Sequence, residues 1–249
     1  MVASVASLVA SVVVGWATTS QAQSVATDAA STLAQIDAAA NAGDLDQVMQ
    51  FYSRDFTTPD GMTYATLSET LEELRERFPD LTYQTEVLSS TSENGAIVAE
   101  TRTTLTGTEQ VGDRPLQLTA TITARQRIEN GQIVQQEILS ERSQLTSGDR
   151  PPSVSINLPE EVKVNEEFAF DAIVEEPLGD RYLMGVALEE AVNPSTYLDP
   201  AAVELELLTA GGLFKSGRAP STPGDRWISA VLVHEDGMTL ITQRMRVVR

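Results

Sequence analysis

The sequence predicts two fold classes in succession: an α+β unit, with helices laid on an antiparallel sheet, and then an all-β sandwich. Three observations predict it. The apolar period is 3.6 as far as Phe78 and 2 from Leu81 onward. Asn94-Gly95 and Asn130-Gly131 punctuate the alternating segments. A polar break, Leu145 to Pro152, is followed only by short alternating runs.

Three helices come first. Val25, Ala29, Leu33, Ile36 and Ala40 recur at helical spacing, and Gly43 supplies the left-handed residue that ends a helix. Asp44 caps a second, short helix, with Gln47 three residues on and Leu45, Val48, Met49 and Tyr52 as its buried face. Thr66 and Glu69 form a capping box for the third. There Leu67, Leu71, Leu74 and Phe78 make one stripe, Glu73 pairs with Arg77, and Pro79 stops the helix. Four strands follow in a meander, because both Asn-Gly pairs tolerate the positive φ of a tight hairpin.

With 36 Asp+Glu against 17 Lys+Arg, the net charge is -19. Phosphate-rich polymers bind through Lys and Arg, so nucleic acid is excluded as an expected partner. No cysteine is present, which excludes disulfides and thiolate chemistry. Val5 to Ala17 is an apolar run, shorter than the roughly 20 residues that a membrane span needs. Ser20-Gln21-Ala22 then offers small residues at the positions a signal peptidase reads, although no Lys or Arg precedes the run. Residues 1–22 are therefore expected to be a cleaved signal peptide. The mature chain would start at Gln23, work in the periplasm or outside the cell, and hold no stable membrane insertion.

Asn41-Ala42-Gly43-Asp44-Leu45-Asp46, followed by Phe51-Tyr52 and Asp55, resembles the helix–helix junction of the nuclear transport factor 2-like (ketosteroid isomerase-like, SnoaL-like) superfamily. The resemblance covers residues 23–147. It implies a cone in which a curved sheet wraps the helices around a pocket, and in many members dimerisation through the outer sheet face. In the isomerases of this kind a carboxylate moves a proton while a tyrosine and a protonated acid hold an oxyanion. The resemblance puts the base at Asp60, the tyrosine position at Ile36 and the second acid at or near Ala124, so both oxyanion donors are missing. Losing one donor costs about 10²–10³ in rate. Asp60 also stands in good turn chemistry, Thr57-Thr58-Pro59-Asp60-Gly61.

Other chemistries find no residues. The one histidine, His234, lies on a strand-like run in the second unit, so a Ser-His-Asp triad cannot be assembled within the first. No His/Cys cluster suits zinc, and the pairs Glu160-Glu161, Glu166-Glu167 and Glu175-Glu176 lack the spacing of a calcium loop. No cofactor is expected. For the cone's inner face the expected lining is Ile97, Ala99, Leu118, Ala120, Ile122 and Ala124, which suits an apolar ligand or a closed core. The opposite face is expected to carry Thr101, Thr103, Thr119, Thr121 and Thr123, a surface that packs against a second copy or the C-terminal unit.

Residues 148–152 read as a semi-stiff linker ending in Pro151-Pro152. Beyond them, in 153–249, seven short strands are expected: Val154–Ile156, Glu167–Val174, Leu183–Leu188, Val203–Leu208, Gly212–Lys215, Trp227–Val233 and Met238–Val248. That spacing suits an immunoglobulin-like β-sandwich. Three functional readings stand side by side. The first is an exported, non-enzymatic envelope protein whose pocket takes a small apolar molecule or a protein partner. The second is a proton-transfer enzyme, isomerase- or dehydratase-like, using Asp60. The third is a structural homodimer.

Overall fold

The computed structural model describes residues 17–179, 181–196 and 204–249, with side chains from residue 25. The apolar run before residue 17 and Val203 lie outside the described residues. The helices are α1 (Ala17–Ala42), α2 (Leu45–Gln50) and α3 (Tyr64–Arg77). A short strand β1 (Tyr52–Thr57) sits between the last two. The meander is β2 (Thr82–Glu93), β3 (Ala96–Val111), β4 (Arg114–Glu129) and β5 (Gln132–Gly148). Then come β6 (Val154–Asn157), β7 (Glu161–Lys163), β8 (Glu167–Val174), β9 (Leu183–Ala191), β10 (Glu206–Leu208), β11 (Gly212–Arg218), β12 (Gly224–His234) and β13 (Gly237–Val248).

Local chemistry accounts for most boundaries. Gly43 adopts φ +74°, which lets the Gly43 and Asp44 amides close α1 onto the carbonyls of Ala40 and Ala39. Asp44 then caps α2, accepting from the Gln47 amide at 2.9 Å. Asn94 and Gly95, and Asn130 and Gly131, take positive φ in the β2–β3 and β4–β5 turns. Two details depart from expectation. Tyr52 belongs to β1 rather than to the second helix, because α2 ends at Gln50 and the Phe51 carbonyl accepts from the Ile133 amide of β5 at 2.7 Å. The capping box of α3 is Thr63 with Thr66, one turn earlier than Thr66 with Glu69.

The larger correction concerns the fold class. The expected α+β cone followed by a separate immunoglobulin-like sandwich is overturned by one ten-stranded sheet that runs through both halves of the chain: eight strands in the order β10-β9-β12-β13-β5-β4-β3-β2, with β1 pairing β5 and β7 pairing β13 beside that path. The seam is β5 against β13, antiparallel from Arg142↔Gln243 to Gly148↔Gly237. Leu145–Gly148, expected as part of a polar break, is therefore interior strand. Gly148 is needed there for contact: a Cβ would lie 2.4 Å from the Asp236 carbonyl oxygen, and one on Gly237 would lie 2.5 Å from that of Ser147. The segment that follows is docked as well. Arg150 bonds Asp236 at 2.7 Å, and the buried Pro152 accepts from Thr239 Oγ1 at 2.7 Å.

A second sheet, β11-β8-β6, covers one face of the β9, β12 and β13 portion. Phe168, Phe170, Ala172 and Val174 meet Leu183, Ile228, Ala230, Leu232, Met245 and Val247 in the larger core. Strand alternation turns Trp227 and Ser229 of β12, and Leu240 and Thr242 of β13, to the opposite face. Buried on both faces, β12 reads as a nearly continuous apolar run. In the helical half, Phe78, Leu81, Leu105, Leu118 and Ala120 form one cluster and Phe56, Met62, Ile128 and Ile133 another.

Candidate functional site, a cavity between the helices and the sheet

Between the helices and the inner face of the sheet lies a cavity of about 470 Å³. Leu33, Ile36 and Ala40 of α1, Leu67, Leu71 and Leu74 of α3, and the inner faces of β2 to β5 form an apolar wall. Glu190 of β9, Trp227 and Ser229 of β12, and Leu240 and Thr242 of β13 complete it. The C-terminal half is thus a wall of the pocket, a role that sequence reading assigned to residues before 148 alone.

Of the six residues expected to line it, Leu118, Ala120, Ile122 and Ala124 do so. Ile97 instead borders a shallow depression beside the two Asn-Gly turns, and Ala99 is fully buried outside the wall. The expected threonine face needs correction in β3. Residues of one parity share a face of a regular strand, so Thr101 and Thr103 lie with Ala99 and Leu105, on the inside. Thr101 is fully buried, and Thr103 lines the cavity. Thr119, Thr121 and Thr123 have the opposite parity to the lining residues of β4 and stand on the outer face.

The polar groups of the wall are mostly engaged. Asp37, on α1 directly after Ile36, accepts from the Thr85 amide at 2.6 Å and from Thr85 Oγ1 at 2.8 Å, and Thr85 meets Thr103 Oγ1 at 3.0 Å. Tyr52 and Tyr83 lie close by. Burial pushes the Tyr83 hydroxyl up to about 12 against the nearby Arg75 charge, and it raises Tyr52 further, with Tyr83 and Asp37 adding to the effect. Both hydroxyls are therefore neutral over the whole physiological range. Asn41, from the junction motif, ties α1 to this wall: its side chain accepts from the Tyr83 amide at 2.7 Å and donates to the Tyr83 carbonyl at 3.0 Å.

At one part of the wall sits an ion cluster that sequence reading missed. Arg244 of β13 is completely buried at its side chain. Its Nη1 donates to Asp60 Oδ2 at 3.1 Å and to Asp225 Oδ2 at 2.7 Å, while Nε donates to Glu141 Oε2 at 3.0 Å. Glu141 accepts from Trp227 Nε1 as well, at 3.1 Å. Asp60 does lie on the expected turn, where the Gly61 amide donates to the Thr58 carbonyl at 3.0 Å. Its side chain is only 9% exposed, however, because the turn aims it at Arg244. The carboxylate is thus committed to a buried ion pair rather than presented to the cavity as a free base. The partners are 184 residues apart in sequence, so no local pattern announces them.

His234, expected on a strand, is there but wholly buried at its side chain. Its Nδ1 accepts from the Asp236 amide at 3.1 Å. Among the described residues no group of three or more His, Cys, Asp or Glu side chains is arranged to hold a metal ion.

Residues 149–248 match the family model of a domain of unknown function, DUF8623. No curated protein matches the chain. Among solved structures, Bd1075 of Bdellovibrio bacteriovorus is similar at 16% identity over 45% of this chain and 39% of its own, with a TM-score of 0.33. An LEH-like epoxide hydrolase of Mycobacterium tuberculosis is 14% identical over 45% of this chain and 82% of its own, with a TM-score of 0.33. A SnoaL-like protein of Shewanella putrefaciens, assigned as a polyketide cyclase, is 14% identical over 47% of this chain and 88% of its own, again at a TM-score of 0.33. Each of these likenesses covers less than half of this chain.

Proposed function

We propose that this chain is an exported binding protein that holds a small, largely apolar molecule in the cavity, without catalysing its conversion. The observation that carries the reading is the cavity itself: about 470 Å³ of space among leucine, isoleucine, alanine and aromatic side chains, within the size range of sites for small organic ligands. Leaving aside Asp60 and Glu141, which Arg244 engages, the lining carboxylates Asp37, Glu73 and Glu190 outnumber Arg77, so a neutral or cationic molecule suits the wall and an organic anion does not. The proton-transfer alternative is disfavoured because Asp60, its only base, is held by Arg244.

Export rests on the Ser20-Gln21-Ala22 pattern. Cleavage after Ala22 would leave α1 from Gln23 to Ala42, and among the residues whose side chains are described the first buried one is Ala29. The mature chain would therefore keep the helix face that the cavity needs. The exposed Thr119, with Thr121 and Thr123 beside it, is the surface on which a second copy would pack.

Native mass spectrometry of the chain purified from its own host tests the reading. The expected result is a mature mass starting at Gln23 plus an adduct that leaves on denaturation, and an increase in Nile red fluorescence when the emptied protein is mixed with that neutral dye. A bare polypeptide mass together with an unchanged dye signal would overturn it.

A further inference from the structure

We infer that Gln126 is where the cavity reads its ligand: its side-chain amide receives a hydroxyl or amide hydrogen carried by an otherwise apolar molecule. This rests on the binding reading above and narrows it to amphiphiles that bring a hydrogen-bond donor into the pocket.

Gln126 stands on the inner face of β4, lines the cavity and is 6% exposed. Its Nε2 donates to Gln136 Oε1 across the β4–β5 ladder at 3.3 Å, and Gln136 lines the same wall. The other end of the Gln126 amide, Oε1, is buried with no partner among the described residues. With the amides as they stand the unpaired atom is the acceptor Oε1, which calls for a donor; reversing both would leave Nε2 unpaired in its place and call for an acceptor, which an alcohol hydroxyl also supplies. A buried carbonyl without a donor is unfavourable, and native interiors rarely leave one unless something else completes it.

No described residue bonds Oε1. The ladder neighbour of Gln126 on β3 is Ala99, and Ala124 and Ile128 flank the glutamine on the same face of β4. Other polar wall groups are turned to each other: Thr85 toward Asp37, Ser229 toward Thr242 at 2.8 Å, and Glu141 toward Arg244 and Trp227. An apolar molecule filling the cavity would leave Oε1 unmet, whereas one carrying a hydroxyl or N–H at that point would meet it. A site built to bond a donor rejects the analogue that lacks one, because the buried acceptor is then stranded.

Naphthalene and 2-naphthol, which differ by one hydroxyl, separate the two claims. Titrated at neutral pH into the full mature chain, naphthalene measures the apolar cavity and 2-naphthol adds the donor. After correction for their water–octanol partitioning, 2-naphthol is expected to bind roughly tenfold tighter, the scale of one buried hydrogen bond. Gln126→Met, which keeps the length and removes the amide, is expected to erase that preference, read as the ratio of the two affinities. In the unmutated protein the side-chain amide signal of Gln126 should move with 2-naphthol and stay in place with naphthalene, a readout that does not depend on how the variant folds. Equal binding of both probes, a preference that survives Gln126→Met, or an unmoved amide signal would overturn the inference and leave the cavity reading standing. If neither probe binds, both fall.

Discussion

At the residue scale, Arg244 is the side chain on which most depends. It neutralises carboxylates from the β1–α3 turn, β5 and β12, and it is completely buried. Replacing it with methionine keeps the volume and strands three acidic groups around an apolar side chain. Arg244→Met should lower unfolding stability at neutral pH by about 3–5 kcal/mol, the usual cost of breaking a buried pair from one side. Denaturant unfolding measures it, and a loss below about 1 kcal/mol would mean the cluster is solvated rather than structural. The tyrosines give a pH signature. Burial raises Tyr83 from 10.0 to about 12, so the unfolded chain releases this proton first as pH rises. The folded state binds more protons between about pH 10 and 12, and stability therefore falls across that window. Tyr52 acts in the same direction. The Tyr52→Phe/Tyr83→Phe double variant should show a flatter midpoint between those pH values, and a slope equal to that of the unmutated chain would rule the tyrosines out as its source.

At the scale of elements, the turn between α1 and α2 fixes the angle at which the helices close on the sheet. Gly43 is left-handed, and the Arg75 guanidinium lies over it: a Cβ there would stand 3.0 Å from Nη2. Arg75 in turn donates to the Leu81 carbonyl at 3.0 Å, so the contact links α3, the junction and the entry to β2. Gly43→Ala should cost about 1–2 kcal/mol, from the left-handed penalty of a Cβ plus displacement of Arg75. An alanine at Gly95, equally left-handed but with nothing within 4 Å, should pay the backbone penalty alone. Thermal unfolding of the two variants side by side compares them, and equal losses would show that the Arg75 contact is immaterial.

At the scale of the whole molecule, the continuous sheet makes the two halves one folding problem. Ending the chain at Gly148 would expose the Arg142–Gly148 edge of β5, remove Trp227 and Leu240 from the cavity wall, and leave Asp60 and Glu141 without Arg244. A fragment of residues 23–148 is expected to aggregate or to remain unfolded, as an unprotected strand edge and uncompensated buried charge both favour. Residues 23–249 together should instead unfold in a single transition by fluorescence and circular dichroism alike. A soluble fragment with native-like dispersion, or two separated transitions in the full chain, would show that the seam between β5 and β13 contributes little coupling.

The sequence by itself determined the parts whose causes are local. Gly43 after the Ala40 turn, Asp44 before Gln47, and the two Asn-Gly pairs each specify a backbone conformation within a few residues, and the structure places helix ends and hairpins there. Alternation along β4 likewise identified Leu118 to Ala124 as an inward row. Only the tertiary structure decided what meets what. Pairing between β5 and β13 joins residues nearly a hundred positions apart, so Gly148 looked like a linker glycine when it was a point of backbone contact. Asp60 looked like a turn residue because the partner that buries it, Arg244, comes 184 residues later. Thr101 and Thr103 share the strand parity of Ala99 and Leu105, but which side of that strand faces the helices is settled by packing against α1 and α3. Charge pairing, cavity walls and sheet continuity are properties of distances in space, and a chain fixes those only once it has folded.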